Sequence, residues 1–135
     1  MTEKLSYRFG RNEKLKSRKA IEQLFARGKS FNLFPYRIVW QFTNETGALK
    51  AGVSAGSRHF KKATDRNRIK RLSREVYRIN KHKLYNQLIV ENKGMHVFFL
   101  YQGKELPDYI FLKEKMEAAI NKLVKLCNEK RETNS

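Results

Sequence analysis

Lys61-Lys62-Ala63-Thr64-Asp65-Arg66-Asn67-Arg68-Ile69-Lys70-Arg71-Leu72-Ser73-Arg74-Glu75-Val76-Tyr77-Arg78 is the stretch from which both a fold and a partner can be argued. Stepping 100° per residue puts Ile69, Leu72, Val76 and Ile79 in one narrow sector, which predicts a core-facing helical stripe. Arg66, Asn67, Lys70, Arg71, Arg74 and Arg78 fan across the other side. Thr64 or Asp65 stands where an N-cap or a first-turn acid belongs, and the helix is expected to end around Asn80 to Lys83. A solvated helix face normally intersperses acids at i,i+4 spacing. Arg58 to Lys83 instead holds eleven Lys/Arg against two acids, Asp65 and Glu75. Such a helix repels itself, and a polyanion would supply the missing counter-charge.

The totals agree. The chain has 135 residues and a formal charge of +17. That length suits a single domain spanning 1–135, with a basic arm over 1–16 and a polar tail over 128–135. The charge is concentrated: residues 1–29 carry nine bases against three acids, while Lys104 onward carries seven against six. The front and middle of the chain therefore hold the electrostatic footprint, and the last helix reads as structural. Cys127 is the one cysteine. It rules out an intramolecular disulfide and reads as a buried thiol on an apolar stripe. The N-terminus has no apolar signal region, and no run approaches the length of a transmembrane helix, so a cytoplasmic protein without a membrane partner is expected.

Along the chain, Phe9 and Leu15 are expected to anchor the arm. Ser17 is a plausible N-cap for a helix to about Arg27, with Ile21, Leu24 and Phe25 on its apolar side and Gly28 as its stop. Phe31 to Pro35 reads as a turn region. Tyr36 to Thr43 alternates, with Tyr36, Ile38, Trp40 and Phe42 on one face and Arg37, Val39 and Gln41 on the other, as a strand does. Asn44 to Gly47 reads as a hairpin connection to a second strand, Leu49 to Ala55. Met95 to Tyr101 is apolar enough for a central strand. Asp108 is a good N-cap for a last helix whose stripe is Leu112, Met116, Ala119, Ile120, Leu123 and Cys127. The expected order is α-β-β-α-β-α, an α+β two-layer sandwich with a small sheet packed by helices.

Protein-based catalysis finds little support. The histidines, His59, His82 and His96, form no metal-ligand pair, and no Walker loop or Gly-x-Ser-x-Gly motif occurs. A clustered-carboxylate nuclease centre is not apparent. A histidine-pair ribonuclease would need His59 and His82 to converge. Aromatics beside cations suit unpaired bases, although the same rings also serve as core. A stand-alone or ribosome-associated RNA-binding module would explain the charge.

The order Arg66-Asn67-Arg68-Ile69-Lys70-Arg71-Leu72-Ser73-Arg74-Glu75 closely resembles the signature of the bacterial ribonuclease P protein component. Leu24-Phe25 followed by Gly28-Lys29-Ser30, and Phe60-Lys61-Lys62-Ala63-Thr64, resemble that family's flanking segments, so the likeness covers about residues 9 to 127. The resemblance implies a left-handed βαβ crossover. It also implies a partner, the catalytic RNA subunit, which removes the 5′ leader of precursor tRNA and mainly holds the magnesium ions. No catalytic residue in the protein, no organic cofactor and no obligate protein partner are implied. Carried over by position, Arg66, Asn67, Arg68, Lys70, Arg71 and Arg74, with Arg58, Lys61 and Lys62, would face the RNA subunit. Ile21 and Phe25 would face the leader, together with Tyr36, Val39 or Trp40 from the first strand. Where the family often has an aromatic on the first helix, this chain has Ile21.

Overall fold

The computed structural model describes residues 8–133. The arm residues 1–7 and tail residues 134–135 lie outside them. The order of elements is α1 (Arg18–Arg27), β1 (Lys29–Leu33), β2 (Tyr36–Thr43), β3 (Leu49–Ala55), α2 (Ala63–Val90), β4 (Gly94–Tyr101) and α3 (Tyr109–Thr133), after one 3-10 turn at Arg11–Glu13. The four strands lie in the order β1-β2-β4-β3. β1/β2 and β2/β4 are antiparallel, and β3/β4 are parallel. The chain between the parallel pair is α2, which makes the expected βαβ unit.

Four expectations change. First, Lys29–Leu33 is a strand, paired from Lys29↔Trp40 to Leu33↔Tyr36. Pro35 ends it but does not prevent it, because Phe34 and Pro35 form only the two-residue connection. Phe31 and Leu33 turn inward while Lys29, Ser30 and Asn32 stay exposed. A short edge strand that begins on lysine is a common defence against edge-to-edge pairing. Second, β2 and β3 are not a hairpin, because β4 lies between them. Val97, Phe98 and Phe99 are buried, with neighbouring side chains alternating between the two faces, so β4 takes the centre. The connection wraps the start of β4 through Gly47 N–H to the Lys93 carbonyl (3.0 Å) and Met95 N–H to the Ala48 carbonyl (2.9 Å). At Gly94 a Cβ would lie 2.3 Å from the Glu45 carbonyl oxygen, so only glycine fits there.

Third, α2 runs on to Val90 and begins at Ala63 after Lys62, so neither Thr64 nor Asp65 is the N-cap. Asp65 sits inside the first turn, where its charge complements the helix dipole. The buried stripe is Ile69, Ser73, Val76, Tyr77, Leu84 and Leu88. Leu72 and Ile79 fall on its half-buried flanks. Leu84 and Leu88 carry the helix beyond Lys83, because they extend the same apolar face over the sheet. Fourth, the tail is helical through Thr133, as the last part of α3.

The two faces of the sheet are covered unequally. α2 and α3 pack on one face, over Tyr36, Ile38, Trp40, Val97 and Phe99. All six predicted stripe residues of α3 are buried there. Asp108 Oδ1 accepts from Phe111 N–H at 2.8 Å, the expected cap. Burial pushes the Cys127 thiol up to about 11. On the other face α1 adds a partial third layer through a small cluster of Leu15, Leu24, Val39 and Phe98. Ser17 Oγ accepts from Ala20 N–H (3.2 Å) to start α1.

The arm is fastened at Phe9 and Leu15 as expected: Phe9 packs on Tyr77 (5.2 Å between ring centroids), and Leu15 N–H bonds the Ala51 carbonyl (2.9 Å). A third anchor has no apolar signal. Lys81, fully buried in α2, donates to the Arg8 carbonyl and to Glu13 Oε1.

Candidate nucleic-acid interface

Two surfaces carry the candidate residues. The first is the N-terminal half of α2 and the loop before it. The packing stripe turns Ile69, Ser73 and Val76 to the sheet, so the intervening positions face outward. Thr64, Asp65, Asn67, Arg68, Lys70, Arg71 and Arg74 line one shallow depression there. Asn67, Arg68, Arg71 and Arg74 are exposed, Lys70 is half-buried, and Arg58, Lys61 and Lys62 are exposed on the loop.

Not every base of the stretch belongs to this face. Arg78 donates to Glu75, with Nη2–Oε1 at 2.5 Å, and that guanidinium holds the Glu75 carboxyl below the ordinary carboxylate range. Lys81 is committed to Glu13. Arg66 folds back, its Nη1 donating to the carbonyls of Phe60 (2.7 Å) and Lys61 (2.8 Å). It therefore fixes the basic loop that carries Lys61 and Lys62 to the start of the helix. Periodicity alone could not have separated this bracing role from a phosphate contact.

The second surface is the side of the sheet that α1 covers only in part. Strand register sets its contents. One row across the sheet is Ser30, Val39, Phe98 and Gly52, and the next is Asn32, Arg37, Leu100 and Ser54. α1 lies over the first row. Phe25 meets Phe98 nearly edge-on (5.4 Å, 63°) and remains 41% exposed. Ile21 and Leu100 are half-buried around the same cluster. A Cβ on Gly52 would come within 2.6 Å of the Phe98 ring, which explains a glycine inside β3.

The second row holds exposed Asn32 and Arg37 beside half-buried Leu100 and Ser54. The result is an open strip of sheet with an aromatic ring at its edge and a cation on it, a combination that suits a single strand.

This geometry sorts the three first-strand candidates by face. Val39 lies on the α1 face beside Phe98, in the cluster with Leu24, and is itself buried at 2% exposure. Tyr36 and Trp40 do not: they point into the α2/α3 core. The Tyr36 hydroxyl shares a buried 2.7 Å hydrogen bond with Ser73 Oγ, and burial pushes its ionisation far above the ordinary tyrosine value. Trp40 packs edge-on against Phe42 at 5.1 Å. The alternation that placed Tyr36 and Trp40 opposite Val39 was visible in the sequence; which face α1 would cover was not. Arg37, Asn32, Phe98 and Leu100 were missed for the same reason.

The histidine pair does not form. His82 lies about 28 Å along α2 from Ala63 at about 1.5 Å per residue, while the four-residue step back to His59 spans at most about 14 Å. Among the described residues no group of three or more His, Cys, Asp or Glu converges to hold a metal ion. No helix among them is long and apolar enough to cross a membrane.

Comparison with known proteins identifies the family. The Ribonuclease P family matches residues 9–124. The ribonuclease P protein component of Porphyromonas gingivalis strain ATCC 33277 is 33% identical over 122 residues, covering 89% of either chain. That of Yersinia enterocolitica is 46% identical over 54 residues, 38% of this chain and 45% of its own. Among solved structures, the Thermotoga maritima RNase P protein superposes with a TM-score of 0.63 at 25% identity, over 82% of this chain and 96% of its own. The Staphylococcus aureus RNase P protein gives 0.64 at 17% identity, over 81% and 93%. With a match that spans the sheet, α2 and most of α3, this chain belongs to the Ribonuclease P family.

Proposed function

We propose that the chain is the RNA-binding protein subunit of ribonuclease P and acts in removing the 5′ leader from precursor tRNA. The observation that carries this reading is the cationic depression built by the signature residues Asn67, Arg68, Lys70, Arg71 and Arg74, in a chain of that family. Lys and Arg on such a surface neutralise phosphates and release counterions, so binding should weaken steeply with salt. The RNA subunit docks here, and Arg58, Lys61 and Lys62 extend the contact along the loop that Arg66 braces.

The precursor's single-stranded leader lies on the other surface, between α1 and the sheet. Phe25 offers an exposed ring, Ile21 a half-buried apolar neighbour, and Arg37 a charge for the backbone, while buried Val39 supports the surface from below. The two surfaces lie on different elements, so catalyst and substrate are held without competing. Hydrolysis belongs to the RNA subunit, which mainly holds the magnesium ions; the described residues of the chain supply no carboxylate cluster for them. A cytoplasmic location follows from these partners.

Reconstitution tests the division of labour. The purified protein alone should leave precursor tRNA intact, and adding a transcribed bacterial ribonuclease P RNA at low magnesium should give cleavage at the 5′ end. Cleavage by the protein alone would overturn the reading. Capture of mixed ribosomal RNAs in place of one dominant RNA from cells would point to a stand-alone module.

A further inference from the structure

The carboxyl ends of the parallel strands β3 and β4 meet at the pair Ala55↔Tyr101. Open sheets often bind ligands outside such ends, and here the loops that follow both strands leave a crevice even though their helices, α2 and α3, pack on one face. Here the loops are residues 56–62 and 102–108. Two adjoining cavities lie between and beside them, sharing Tyr101, Gln102 and Gly103. One, about 300 Å³, is flanked by Arg58, His59 and Phe60. The other, about 490 Å³, opens between Phe34 and Phe111 and the loop carrying Lys104 and Glu105. These are volumes typical of small-molecule sites, roughly 300–1,000 Å³.

The crevice is shaped by specific contacts. The Tyr101 hydroxyl donates to the Glu105 carbonyl at 2.7 Å, which folds the β4–α3 loop over the ring. Gly103 permits that fold, since a Cβ there would lie 2.4 Å from the same hydroxyl. Phe60 packs on Tyr101 (6.0 Å) from the opposite side. Its carbonyl is the one held by Arg66, so one wall is joined directly to the signature helix. Phe34 stands at the mouth, 66% exposed and edge-on to Phe111 (6.2 Å, 64°). Phe34 adds little to the core from the tip of its two-residue turn, and with Leu106, also exposed and lining the same cavity, it forms an apolar surface rather than a lone exposed ring.

We propose that this crevice holds one unpaired nucleotide of the RNA subunit, a contact that continues the signature face through Arg58 and lies apart from the leader surface. Phe34 and Phe111 supply the aromatic surface for the base. Arg58 and Lys104 stand at the rim for the phosphates, with Lys115 over the Phe111 ring (5.7 Å). Two acids also line the crevice. Asp108 is engaged as the cap of α3. The exposed Glu105 carboxylate can accept from an exocyclic amine on the base edge. A second copy of the chain is the weaker occupant, because two molecules of +17 repel each other. The link through Arg66 to the signature face favours the RNA subunit over the precursor as the source.

The proposal rests on the RNA-binding reading above, and its test separates the two. The full chain is photocrosslinked in parallel to a 4-thiouridine-substituted bacterial ribonuclease P RNA and to a substituted precursor tRNA. Crosslinks from the RNA subunit are expected at Phe34 or within residues 102–111. Phe34→Ala should remove them and lower RNA-subunit affinity about tenfold with an unchanged salt slope, since only stacking is lost. Phe34→Trp should restore both. Lys104→Ala should reduce the slope by about one. If the wild-type chain binds the RNA but Phe34→Ala and Lys104→Ala are silent, the crevice assignment falls and RNA binding stands. Crosslinks there from precursor tRNA alone overturn the source. A change in sedimentation without a change in RNA affinity gives the face to a second copy. Failure of the wild type to bind either RNA overturns the RNA-binding reading itself.

Discussion

The two faces of the sheet are built from the same strands, yet they have different tasks. On the α2/α3 face, Tyr36, Ile38, Val97 and Phe99 are at most 1% exposed and belong to one continuous core. On the α1 face the cluster is four buried residues wide, and Phe25, Arg37 and Asn32 stay open at its margin. A ten-residue helix cannot cover a four-stranded sheet, so the second face is left partly open. On the proposed reading, stability and leader contact are separated by strand alternation, and substitutions should divide along the same line.

The largest effect should come from the thick side. Phe99→Ala, at a fully buried position, should cost about 3–5 kcal/mol in chemical denaturation. Leu72→Ala, on the half-buried flank of the α2 stripe, should cost clearly less than a fully buried Leu→Ala. If Phe25→Ala on the open side proved as costly as Phe99→Ala, the contrast between the faces would be wrong.

Next comes the ion pair that straps the arm to α2. Glu13→Ala leaves the fully buried Lys81 ammonium without its carboxylate. Removing one partner of a buried pair is strongly destabilising, here about 2–3 kcal/mol because the arm can undock and let water reach the amine. Glu13→Ala combined with Lys81→Met should recover much of the loss. Unfolding curves of the single and double variants measure the coupling; additivity would show that the strap carries nothing.

On the RNA side, Phe25→Ala should weaken binding of a single-stranded leader about tenfold while leaving affinity for the RNA subunit nearly unchanged. Arg68→Ala should do the reverse and lower the salt slope of RNA-subunit binding by about one. Arg66→Ala distinguishes bracing from phosphate contact. With Nη1 engaged by the Phe60 and Lys61 carbonyls, it should reduce affinity with a smaller change of slope than Arg68→Ala. Filter binding across a salt series reads all three.

How far the sequence foretells this division depends on the kind of signal. The α3 stripe was legible residue by residue, because a 3.6-residue apolar period over a long helix has few alternative readings. So was the parity of β2, which put Val39 opposite Tyr36 and Trp40. The neighbours of β2 were not legible. Nothing local in Asn44 to Gly47 distinguishes a hairpin from a connection around β4, and strand order is set by where the most apolar strand can bury both faces. The Glu13–Lys81 strap escaped for a related reason: a lysine in a basic helix looks solvated until a partner 68 positions away meets it. The signature order named a family from the residues alone, but Arg66 shows that family identity does not assign each side chain its contact.

His96 offers the smallest and most local test of the open face. It sits on the α1 side of β4, in register with Gln41 and Lys50. Burial first, and then the Lys50 charge, lower its ionisation below the ordinary histidine value, with Glu45 pulling the other way. The folded state thus binds a proton less readily than the unfolded chain. His96 therefore contributes stability that is present above the ordinary histidine pKa of about 6.5 and is lost as pH falls through that value towards the folded one. Lys50→Ala should narrow the gap by raising the folded value, and Glu45→Gln should widen it. Imidazole titration by NMR measures each shift directly. If Lys50→Ala left the His96 titration where it was, the lysine would be directed away from the ring. The charge on this part of the sheet would then be free for the leader.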